Sequence, residues 1–315
     1  MRCPQRIGHR GLDNPLRTAD STGIMPRILI AGCGYVGEAT ADLFHLNGWE
    51  VEGWVHSKES AARLSVKPYS IHVIDISQRG DVAKRAGEFD AVIHCASSGG
   101  GGAEAYREIY LKGARHLLEN FPEAKILFTS STSVYAQQDG SVVTEDSETK
   151  PLRETSRILL EAEELILEKS GIIARLAGIY GPGRSALLSK FLNDTATIDP
   201  NNDRFVNQVH RDDIASALFL LLSRKVQTSA QIYNVVDDQP LLQSECYRWL
   251  AQRLNRPIPP TAKSEQPRKR GDTNKRVSNT KVHQLGWTPV YPTFTDAMEK
   301  SVLPSFAEGS ASASH

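Results

Sequence analysis

The sequence predicts an α/β fold in which a doubly wound parallel sheet is followed by a small C-terminal lobe. Short apolar runs alternate with helical segments in units of roughly 20–30 residues, as in a parallel sheet with helices on both faces. A glycine-rich turn follows the first apolar run, and beyond Tyr180 the alternation loosens and prolines interrupt it. These observations put a large sheet domain first and a smaller lobe after it.

Bulk composition excludes several classes of function. The 315 residues include 37 basic and 37 acidic side chains, so no overall field favours nucleic acid or an anionic membrane surface. No apolar run approaches the roughly 18–20 residues that span a bilayer. Cys3, Cys33, Cys95 and Cys246 are scattered without C-x-x-C spacing, which favours a reduced, cytoplasmic protein over disulfides or a metal site.

Both ends of the chain are expected to be disordered. Residues 1–25 contain four arginines but no hydrophobic core, so they do not resemble a secretory signal. Asp13 and Asp20 count against an organelle-targeting peptide. A disordered extension and a true start at Met25 are both open, and small polar residues predict a second disordered tail over 304–315.

The first half of the chain predicts five strands. The run RILIA, residues 27–31, ends at glycines as a buried parallel strand does, and the helical segment ATADLFHLNG follows it. The segments WEVEGWV, SIHVIDI and FDAVIHCA predict strands that end near Val55, Ile76 and Ala96. The helix YREIYLKGARHLLENF then leads into the fifth strand, KILFTSS.

The second half completes the sheet and builds the lobe. Apolar residues recur at helical spacing in SRILLEAEELILEKSG, and Gly171 is placed to end that helix. A sixth strand, GIIARLAGIY, follows, and VNQVHRDDIASALFLLLSR and QIYNVVDD predict a strand, a helix and a further strand. We therefore assign 26–180 to the sheet domain, completed by elements within 206–240, and 181–205 with 241–303 to the lobe.

The turn AGCGYVG carries the first chemical signal. Gly32, Gly34 and Gly37 spell G-x-G-x-x-G between a predicted strand and a predicted helix, the context of a Rossmann dinucleotide-binding turn. Glycines permit the tight turn and let backbone N–H groups, with Tyr35 and Val36 among them, approach a pyrophosphate at the positive end of the helix dipole. A glycine turn in another kind of α/β protein is the alternative.

The end of the second strand bears on the choice of cofactor. NAD sites usually carry an acidic residue there for the ribose hydroxyls, but Val55 stands at the expected position. His56, Ser57 and Lys58 follow and offer donors and positive charge for a 2′-phosphate. The sequence thus favours NADP, with NAD as the alternative, unless these three residues form only a solvated turn.

Residues after the third and fourth strands are further candidates for cofactor binding. Asp75, beside Ile76, could accept from the exocyclic amine of an adenine or could simply cap its strand. Three more candidates end the fourth strand or follow it: Cys95, Ala96 and Ser97. The run SSGGGG that begins there would allow close approach of the cofactor or form only a mobile loop.

Three segments, FTSSTSVYA, RLAGIYGPGR and VNQVHRDDIASAL, resemble the short-chain dehydrogenase/reductase superfamily in their order and spacing, and within it the NAD-dependent epimerase/dehydratase family. The resemblance covers almost the whole chain, from about Arg27 to about Val302, and is strongest to an atypical YeeZ-type subgroup. It implies a nicotinamide-binding Rossmann domain, a C-terminal substrate lobe and hydride transfer on nucleotide sugars or related hydroxy and keto compounds. It also implies a homodimer formed through two helices of the large domain.

The resemblance assigns catalytic positions with a mixed result. In the family a tyrosine exchanges the hydroxyl proton, a lysine four residues later lowers the pKa of that tyrosine, and a serine or threonine holds the substrate oxygen. Ser131 matches the last position, whereas Thr155 stands at the tyrosine position, Leu159 at the lysine position, and Tyr110 near the position of a frequent asparagine. A threonine hydroxyl is too weak an acid to replace the tyrosine, and leucine carries no charge.

Other side chains near this site have functional and structural interpretations. Tyr135 is the first candidate for a replacement acid, although the corresponding family tyrosine commonly packs. Tyr180 could line the substrate side or only shape its loop. His210 has a pKa suited to proton transfer but could simply fix the start of a helix.

Arginines in two segments could meet a diphosphate on the substrate, or could lie in solvated loops. They are Arg184 in the GPGR segment and Arg268 and Arg270 in PRKRGDTNKR. The sequence as a whole predicts an NADP- or NAD-dependent oxidoreductase or epimerase acting on a small polar substrate. The second hypothesis is a dinucleotide-binding sensor or interaction protein without turnover, which the missing tyrosine–lysine pair favours.

Overall fold

A seven-stranded parallel sheet with flanking helices forms the centre of the described residues, which are 25–223, 230–262 and 273–306 of the computed structural model. The predicted extension, 1–25, lies outside these ranges except for Met25, and so does the predicted tail beyond residue 306. The α/β class with a Rossmann-like doubly wound sheet is confirmed.

The strands alternate with helices along the chain. The strands are β1 (Arg27–Ala31), β2 (Glu50–Val55), β3 (Ser70–Val73), β4 (Ala91–His94), β5 (Lys125–Ser131), β6 (Val142–Val143), β7 (Ile172–Leu176), β8 (Gly178–Tyr180), β9 (Phe205–Val206), β10 (Gln208–His210), β11 (Gln231–Val235), β12 (Leu241–Leu242) and β13 (Arg276–Val277). The α-helices are α1 (Tyr35–Leu46), α2 (Lys58–Leu64), α3 (Arg79–Ala83), α4 (Ala103–Tyr106), α5 (Gly113–Asn120), α6 (Glu154–Glu168), α7 (Ala186–Leu192), α8 (Arg211–Ser223), α9 (Gln243–Arg253), α10 (Thr280–Gln284) and α11 (Phe294–Ala297). A π-helical segment, Arg107–Lys112, joins α4 to α5, and another, Met298–Val302, extends α11.

The main sheet has the order β3-β2-β1-β4-β5-β7-β11, and every pairing in it is parallel. The order reverses between β1 and β4, so the connections leave these two neighbours in opposite directions. Their apolar side chains are fully buried because helices cover both faces of the sheet, as Ile28, Leu29, Ile30, Val92 and Ile93 illustrate.

The predicted sixth strand, 171–180, is divided in the structure. Ala177 donates its N–H to the Val235 carbonyl at 3.1 Å, and Gly178 then donates to the Asn207 carbonyl at 3.0 Å. The chain therefore leaves the main sheet after β7, and β8 pairs with β10 in a separate two-stranded sheet.

Three other predicted boundaries differ from the structure. The third strand ends at Val73 rather than near Ile76, and the fourth ends at His94 rather than near Ala96. Helix α6 ends at Glu168, and the left-handed residue that follows it is Ser170, with φ 59°, rather than the predicted Gly171. Gly171 is required there for space, because a Cβ atom on it would lie 2.4 Å from Cγ2 of Ile166.

A second apolar cluster lies apart from the core of the main sheet. It includes Tyr180, Leu187, Leu188, Phe191, Cys246, Tyr247, Leu250, Phe294, Met298 and Val302. Most of these side chains come from α7, α9 and the last helix, which belong to the predicted lobe. The lobe boundaries, 181–205 and 241–303, remain a prediction. The second apolar cluster would form the hydrophobic core of such a lobe.

Charged side chains are also buried beneath the carboxyl edge of the sheet. Arg175 on β7 donates to both carboxylate oxygens of Glu163 on α6, the shortest contact being 2.6 Å from Nη2 to Oε2. Ser130 on β5 donates to the same carboxylate at 2.5 Å. Arg175 and Glu163 are 3% and 2% exposed, so this pair holds α6 against β5 and β7 without competition from water.

No helix in the described ranges is long and apolar enough to cross a membrane. Within the same ranges, no cluster of three or more histidine, cysteine, aspartate or glutamate side chains is arranged to hold a metal ion.

We expect Glu163→Gln to lower the free energy of unfolding by about 3–5 kcal/mol, because it leaves the Arg175 guanidinium buried without its counter-charge. Glu161→Gln on the same helix is the matched control, since Glu161 is half-exposed and lies 3.7 Å from Arg107. The Glu161→Gln variant should lower the free energy of unfolding by less than about 1 kcal/mol. Urea unfolding measures both, and equal losses in the two variants would contradict the structural role of the buried pair.

Candidate functional site

The candidate site lies at the carboxyl ends of β1 and β4, where the strand order reverses. In open α/β sheets this position forms a crevice between diverging helices. The glycine turn, Gly32–Gly37, follows β1, and Cys95, Ala96 and Ser97 follow β4. The turn and the residues after β4 are in direct contact, since the Cys95 thiol donates to the Gly32 carbonyl at 3.2 Å.

Two of the three glycines are required by the packing of the turn itself. A Cβ atom on Gly32 would lie 2.2 Å from the backbone nitrogen of Ala96, and Gly32 has φ +106°, which side-chain-bearing residues rarely adopt. A Cβ atom on Gly37 would lie 2.2 Å from the Gly32 carbonyl oxygen. Gly32 thus lets the turn approach the residues after β4, and Gly37 lets α1 lie against the turn.

Gly34 differs from both, because nothing lies within 4 Å of the position that its Cβ atom would take. Its backbone φ is −96°, outside the left-handed region that favours glycine. A bare, exposed backbone position at the N-terminus of α1 is what close approach of a phosphate requires. Side-chain packing gives no reason for a glycine here, whereas close approach of a ligand would.

Backbone donors remain at this helix N-terminus. The Gly34 N–H donates to the Gly32 carbonyl at 2.7 Å, and Glu38 donates to the Gly34 carbonyl at 2.7 Å. The N–H groups of Tyr35, Val36 and Gly37 have no acceptor among the described residues. The first turn of a helix leaves such donors for an anion, and its dipole adds positive potential.

The candidate residues after β2 and β3 lie near one another. His56 Nε2 is 3.8 Å from the Asp75 carboxylate, and its side chain is 78% exposed. Lys58 is also exposed. Ser57 is the N-cap of α2 and accepts from the Ser60 N–H at 3.2 Å, so its hydroxyl has a structural role. Ile76 is buried, and its carbonyl oxygen lies 2.9 Å from Nδ1 of His116.

The hydroxyl groups at the end of β5 form a short chain. Ser131 is half-buried, and its Oγ accepts from the Ser133 N–H at 3.2 Å. Ser156, a buried residue in the first turn of α6, donates its hydroxyl to Oγ of Ser133 at 3.1 Å. Helix α6 therefore meets the end of β5 through hydroxyl groups.

The predicted match to the family's tyrosine and lysine positions falls on Thr155 and Leu159, which carry neither a phenol nor an ammonium. Thr155 is half-buried beside Ser156, and Leu159 is 3% exposed in the core. Tyr110, near the family asparagine, accepts from the Ser98 N–H at 3.4 Å and has its ring 4.8 Å from that of Tyr106. Thr155 carries a hydroxyl group and Leu159 an apolar side chain, so neither can donate a proton near neutral pH.

The geometry of Tyr135 argues against its role as a replacement acid. Its side chain is fully buried, and its hydroxyl donates to the Asn234 side chain at 2.8 Å and accepts from Arg175 at 2.9 Å. Burial raises the pKa of Tyr135 despite the adjacent guanidinium. The contacts favour the packing interpretation, in which Tyr135 connects β5 to β7 and β11.

The other proton-transfer candidates are also enclosed. His210 is fully buried, with Nε2 2.9 Å from the Ser301 hydroxyl and Nδ1 accepting from the Asp212 N–H at 3.2 Å. Burial lowers the pKa of His210 to about 4, so the ring is neutral at pH 7. Tyr180 is 1% exposed, and burial raises its pKa far above the usual range. The contact of His210 with the Asp212 N–H lies at the start of α8. It supports the interpretation in which His210 fixes the start of that helix.

The candidate arginines differ in position. Arg184 is exposed and lies over the ring of Tyr35, next to the glycine turn. Arg268 and Arg270 lie outside the described residues.

The model of the NAD-dependent epimerase/dehydratase family matches residues 28–235, which include the glycine turn, the end of β5 and the GPGR segment. The chain belongs to this family. Protein YeeZ of Escherichia coli K12 is 30% identical over 224 residues, covering 67% of this chain and 77% of that protein. The resemblance inferred from the sequence motifs is therefore confirmed.

Two solved structures show the same architecture. A candidate NAD-dependent epimerase/dehydratase from Methylobacillus flagellatus is 27% identical, with a TM-score of 0.75 over 90% of this chain and 100% of that one. UDP-glucuronic acid 4-epimerase from Bacillus cereus, in complex with NAD, is 18% identical, with a TM-score of 0.76 over 90% and 99%. At that identity the second likeness shows the fold.

Sequence reasoning missed Ser133, Ser156 and Arg211 at this edge of the sheet. Ser133 lies within the FTSSTSVYA segment, and Ser156 directly follows Thr155, so both are neighbours of predicted site residues in the sequence. Their contact depends on the rotation of α6 relative to β5, which periodicity does not fix. Arg211 begins α8, and its proximity to Tyr35 joins segments 176 residues apart in the chain.

We expect Gly34→Asp to weaken dinucleotide binding by about 100-fold or more, because the carboxylate would enter the open space and repel the phosphates. The midpoint of thermal unfolding should be unchanged, since no atom lies within 4 Å of the position that a Cβ atom on residue 34 would take. Gly32→Ala is the contrasting variant, whose Cβ atom would meet Ala96 and lower the unfolding midpoint. Unchanged NADPH affinity in Gly34→Asp, measured by fluorescence titration, would refute the placement of the phosphates.

Proposed function

We propose that this protein binds NADP(H) at the glycine turn and acts as an oxidoreductase or epimerase on a small polar, nucleotide-sugar-like substrate. The observation that carries the proposal is the contrast among the three glycines. Gly32 and Gly37 serve packing, whereas the bare backbone of Gly34 faces open space beside three unused N–H donors. Membership of the NAD-dependent epimerase/dehydratase family supports the same assignment.

The chain's own residues would divide the binding of the cofactor among them. The N–H groups of Tyr35, Val36 and Gly37 would bind the diphosphate. Asp75 would accept from the adenine amine, and His56 and Lys58 would meet a 2′-phosphate. Both of these side chains are exposed, and neither carries the negative charge that NAD sites usually present to the ribose.

The nicotinamide would supply or accept a hydride above the carboxyl edge of β5. Ser131 would hold the substrate oxygen there by a hydrogen bond, with Thr155 as a second hydroxyl nearby on α6. Neither hydroxyl titrates near neutral pH, so proton exchange would depend on the substrate or on water. The nucleotide-linked substrate of the Bacillus cereus epimerase supports the substrate class proposed here.

A second candidate function is a dinucleotide-binding sensor without turnover. The observation that favours it is the combination of an apolar Leu159, a hydroxyl at Thr155 and a Tyr135 whose hydroxyl is already bonded within the protein. NADPH fluorescence titration followed by a panel of carbonyl substrates separates the two functions. Consumption of NADPH with any substrate, or interconversion of nucleotide-sugar epimers with no net change in the cofactor, supports the enzyme. Tight binding with neither outcome supports the sensor.

We further propose a reduced cytoplasmic location and a homodimer. Cys33, Cys95 and Cys246 form no disulfide among the described residues, and Cys33 and Cys246 are buried. Burial raises the pKa of Cys33 to about 12, so its thiol is unreactive although it lies in the glycine turn.

The proposed homodimer rests on the family resemblance, and size-exclusion chromatography with light scattering tests it.

The cofactor preference predicts a lower dissociation constant for NADPH than for NADH, by about tenfold, because a charge-assisted contact to a phosphate contributes roughly 1.5–3 kcal/mol. Lys58→Gln should narrow the difference, and Lys84→Gln, which removes an exposed lysine paired with Asp81, should not. Tighter binding of NADH by the unaltered protein would overturn the preference.

The role of Ser131 predicts that Ser131→Ala lowers kcat with any accepted substrate by roughly 10- to 100-fold, because the hydrogen bond to the reacting oxygen is lost. The dissociation constant of NADPH should not change. Ser131→Thr keeps a hydroxyl and should restore most of the activity. Equal turnover in Ser131→Ala and the unaltered protein would exclude Ser131 from the reaction.

A further inference from the structure

Two guanidinium groups lie over one aromatic ring at the glycine turn. The central carbon of Arg184 is 5.2 Å from the ring centroid of Tyr35, and that of Arg211 is 5.1 Å from it. Tyr35 directly follows Gly34 and is the first residue of α1. The arginines come from different parts of the fold, Arg184 from the GPGR segment after β8 and Arg211 from the start of α8.

The segment that carries Arg184 is held in place on several sides. Gly181 and Arg184 exchange backbone hydrogen bonds of 2.9 and 3.0 Å, which closes the turn. Tyr35 donates its hydroxyl to the Pro182 carbonyl at 3.0 Å, and Gly183 donates its N–H to the Ser305 hydroxyl at 2.9 Å. The turn can lie this close only because residue 181 is glycine, since a Cβ atom there would be 2.7 Å from the Tyr35 hydroxyl.

Positive charge is left over at this position. Arg211 Nε is 2.8 Å from the Asp212 carboxylate, which balances one of the two cations. Arg184 has no carboxylate within 4 Å among the described residues. Stacking on Tyr35 stabilises each guanidinium but neutralises neither, and two like charges on one ring repel each other. The arrangement therefore leaves net positive charge beside the glycine turn, which a bound anion would balance.

We propose that Arg184 and Arg211 together bind the diphosphate of the dinucleotide, from the Tyr35 side of the glycine turn. This inference rests on the proposed function and deepens it. The planar guanidinium fork matches two phosphate oxygens, and the Tyr35 ring holds each fork so that little rotamer freedom is lost on binding. The helix N–H groups and the two arginines then supply donors to the same anion.

The location distinguishes a cofactor phosphate from a substrate phosphate. Tyr35 begins the helix that follows β1, whereas Ser131 ends β5, and β4 lies between those strands. The strand spacing puts the proposed reaction site about 10 Å away across the sheet. The proposed partner of Arg184 is thus the diphosphate of the cofactor, whereas the sequence-based expectation was a diphosphate of the substrate.

The test compares NADPH titrations of the unaltered protein, Arg184→Gln and Arg211→Gln, with Arg253→Gln as a charge-matched control on α9, where Arg253 pairs with Glu299. Each of the first two variants should bind NADPH about tenfold more weakly at low salt, as loss of a charge-assisted hydrogen bond implies. Their affinity should also depend less on sodium chloride concentration. Arg253→Gln should bind as the unaltered protein does.

Competition with 2′-AMP, which has no diphosphate, distinguishes loss of a contact with the diphosphate from a disturbed fold. Its affinity should be equal in all four proteins, and Arg184→Lys should bind NADPH with intermediate affinity because it keeps the charge without the fork. Unchanged NADPH affinity in both glutamine variants, or parallel loss of NADPH and 2′-AMP, would overturn the inference while the proposed function stands. Failure of the unaltered protein to bind either dinucleotide would overturn both.

Discussion

The close approach of two backbone segments at the carboxyl edge of the sheet constrains the rest of the site. The turn after β1 lies so near the residues after β4 that Gly32 has no room for a side chain. That contact fixes where α1 begins, and Gly37 then lets the helix lie against the turn. Because these contacts position the helix N-terminus, its unused N–H donors and the bare backbone of Gly34 face the crevice together. The dinucleotide assignment depends on this geometry and not on the motif alone.

Helix α6 is held firmly in place on the side of the predicted reaction site. Arg175 and Glu163 hold α6 against β5 and β7, and Tyr135 joins this network through Arg175. The same helix presents Ser156 to Ser133, next to Thr155, which the sequence-based assignment puts at the family's tyrosine position. A scaffold that places α6 so firmly, yet carries hydroxyl groups at the reacting end, is compatible with altered chemistry and with binding without turnover. The proposed dinucleotide binding does not depend on that choice, since it involves the turn after β1.

Local pattern was sufficient to predict the elements that place the site. The apolar run of β1, the helix spacing of α6 and the glycines between β1 and α1 each follow from adjacent residues, and the structure contains all three elements. Local pattern could not separate the roles of Gly32, Gly34 and Gly37, because the atoms that crowd Gly32 belong to Ala96. The division between β7 and β8 was missed for a similar reason, since Gly178 bonds to Asn207 rather than to the main sheet.

Long-range contacts also decide which polar residues are available for chemistry. Tyr135 is a plausible acid by position, but its hydroxyl partners, Arg175 and Asn234, come from strands far along the chain. Arg211 carries no motif that marks it as a cofactor residue, and only its contact with Tyr35 brings it to the glycine turn. In both cases tertiary packing, rather than residue type, determines the role.

A crystal structure of the protein with NADPH tests the central claim most directly. The diphosphate should lie over Gly34, within hydrogen-bonding distance of the N–H groups of Tyr35 and Val36, with the nicotinamide directed towards Ser131. Electron density for the dinucleotide at another place, or a crevice filled by side chains of the protein itself, would contradict the account.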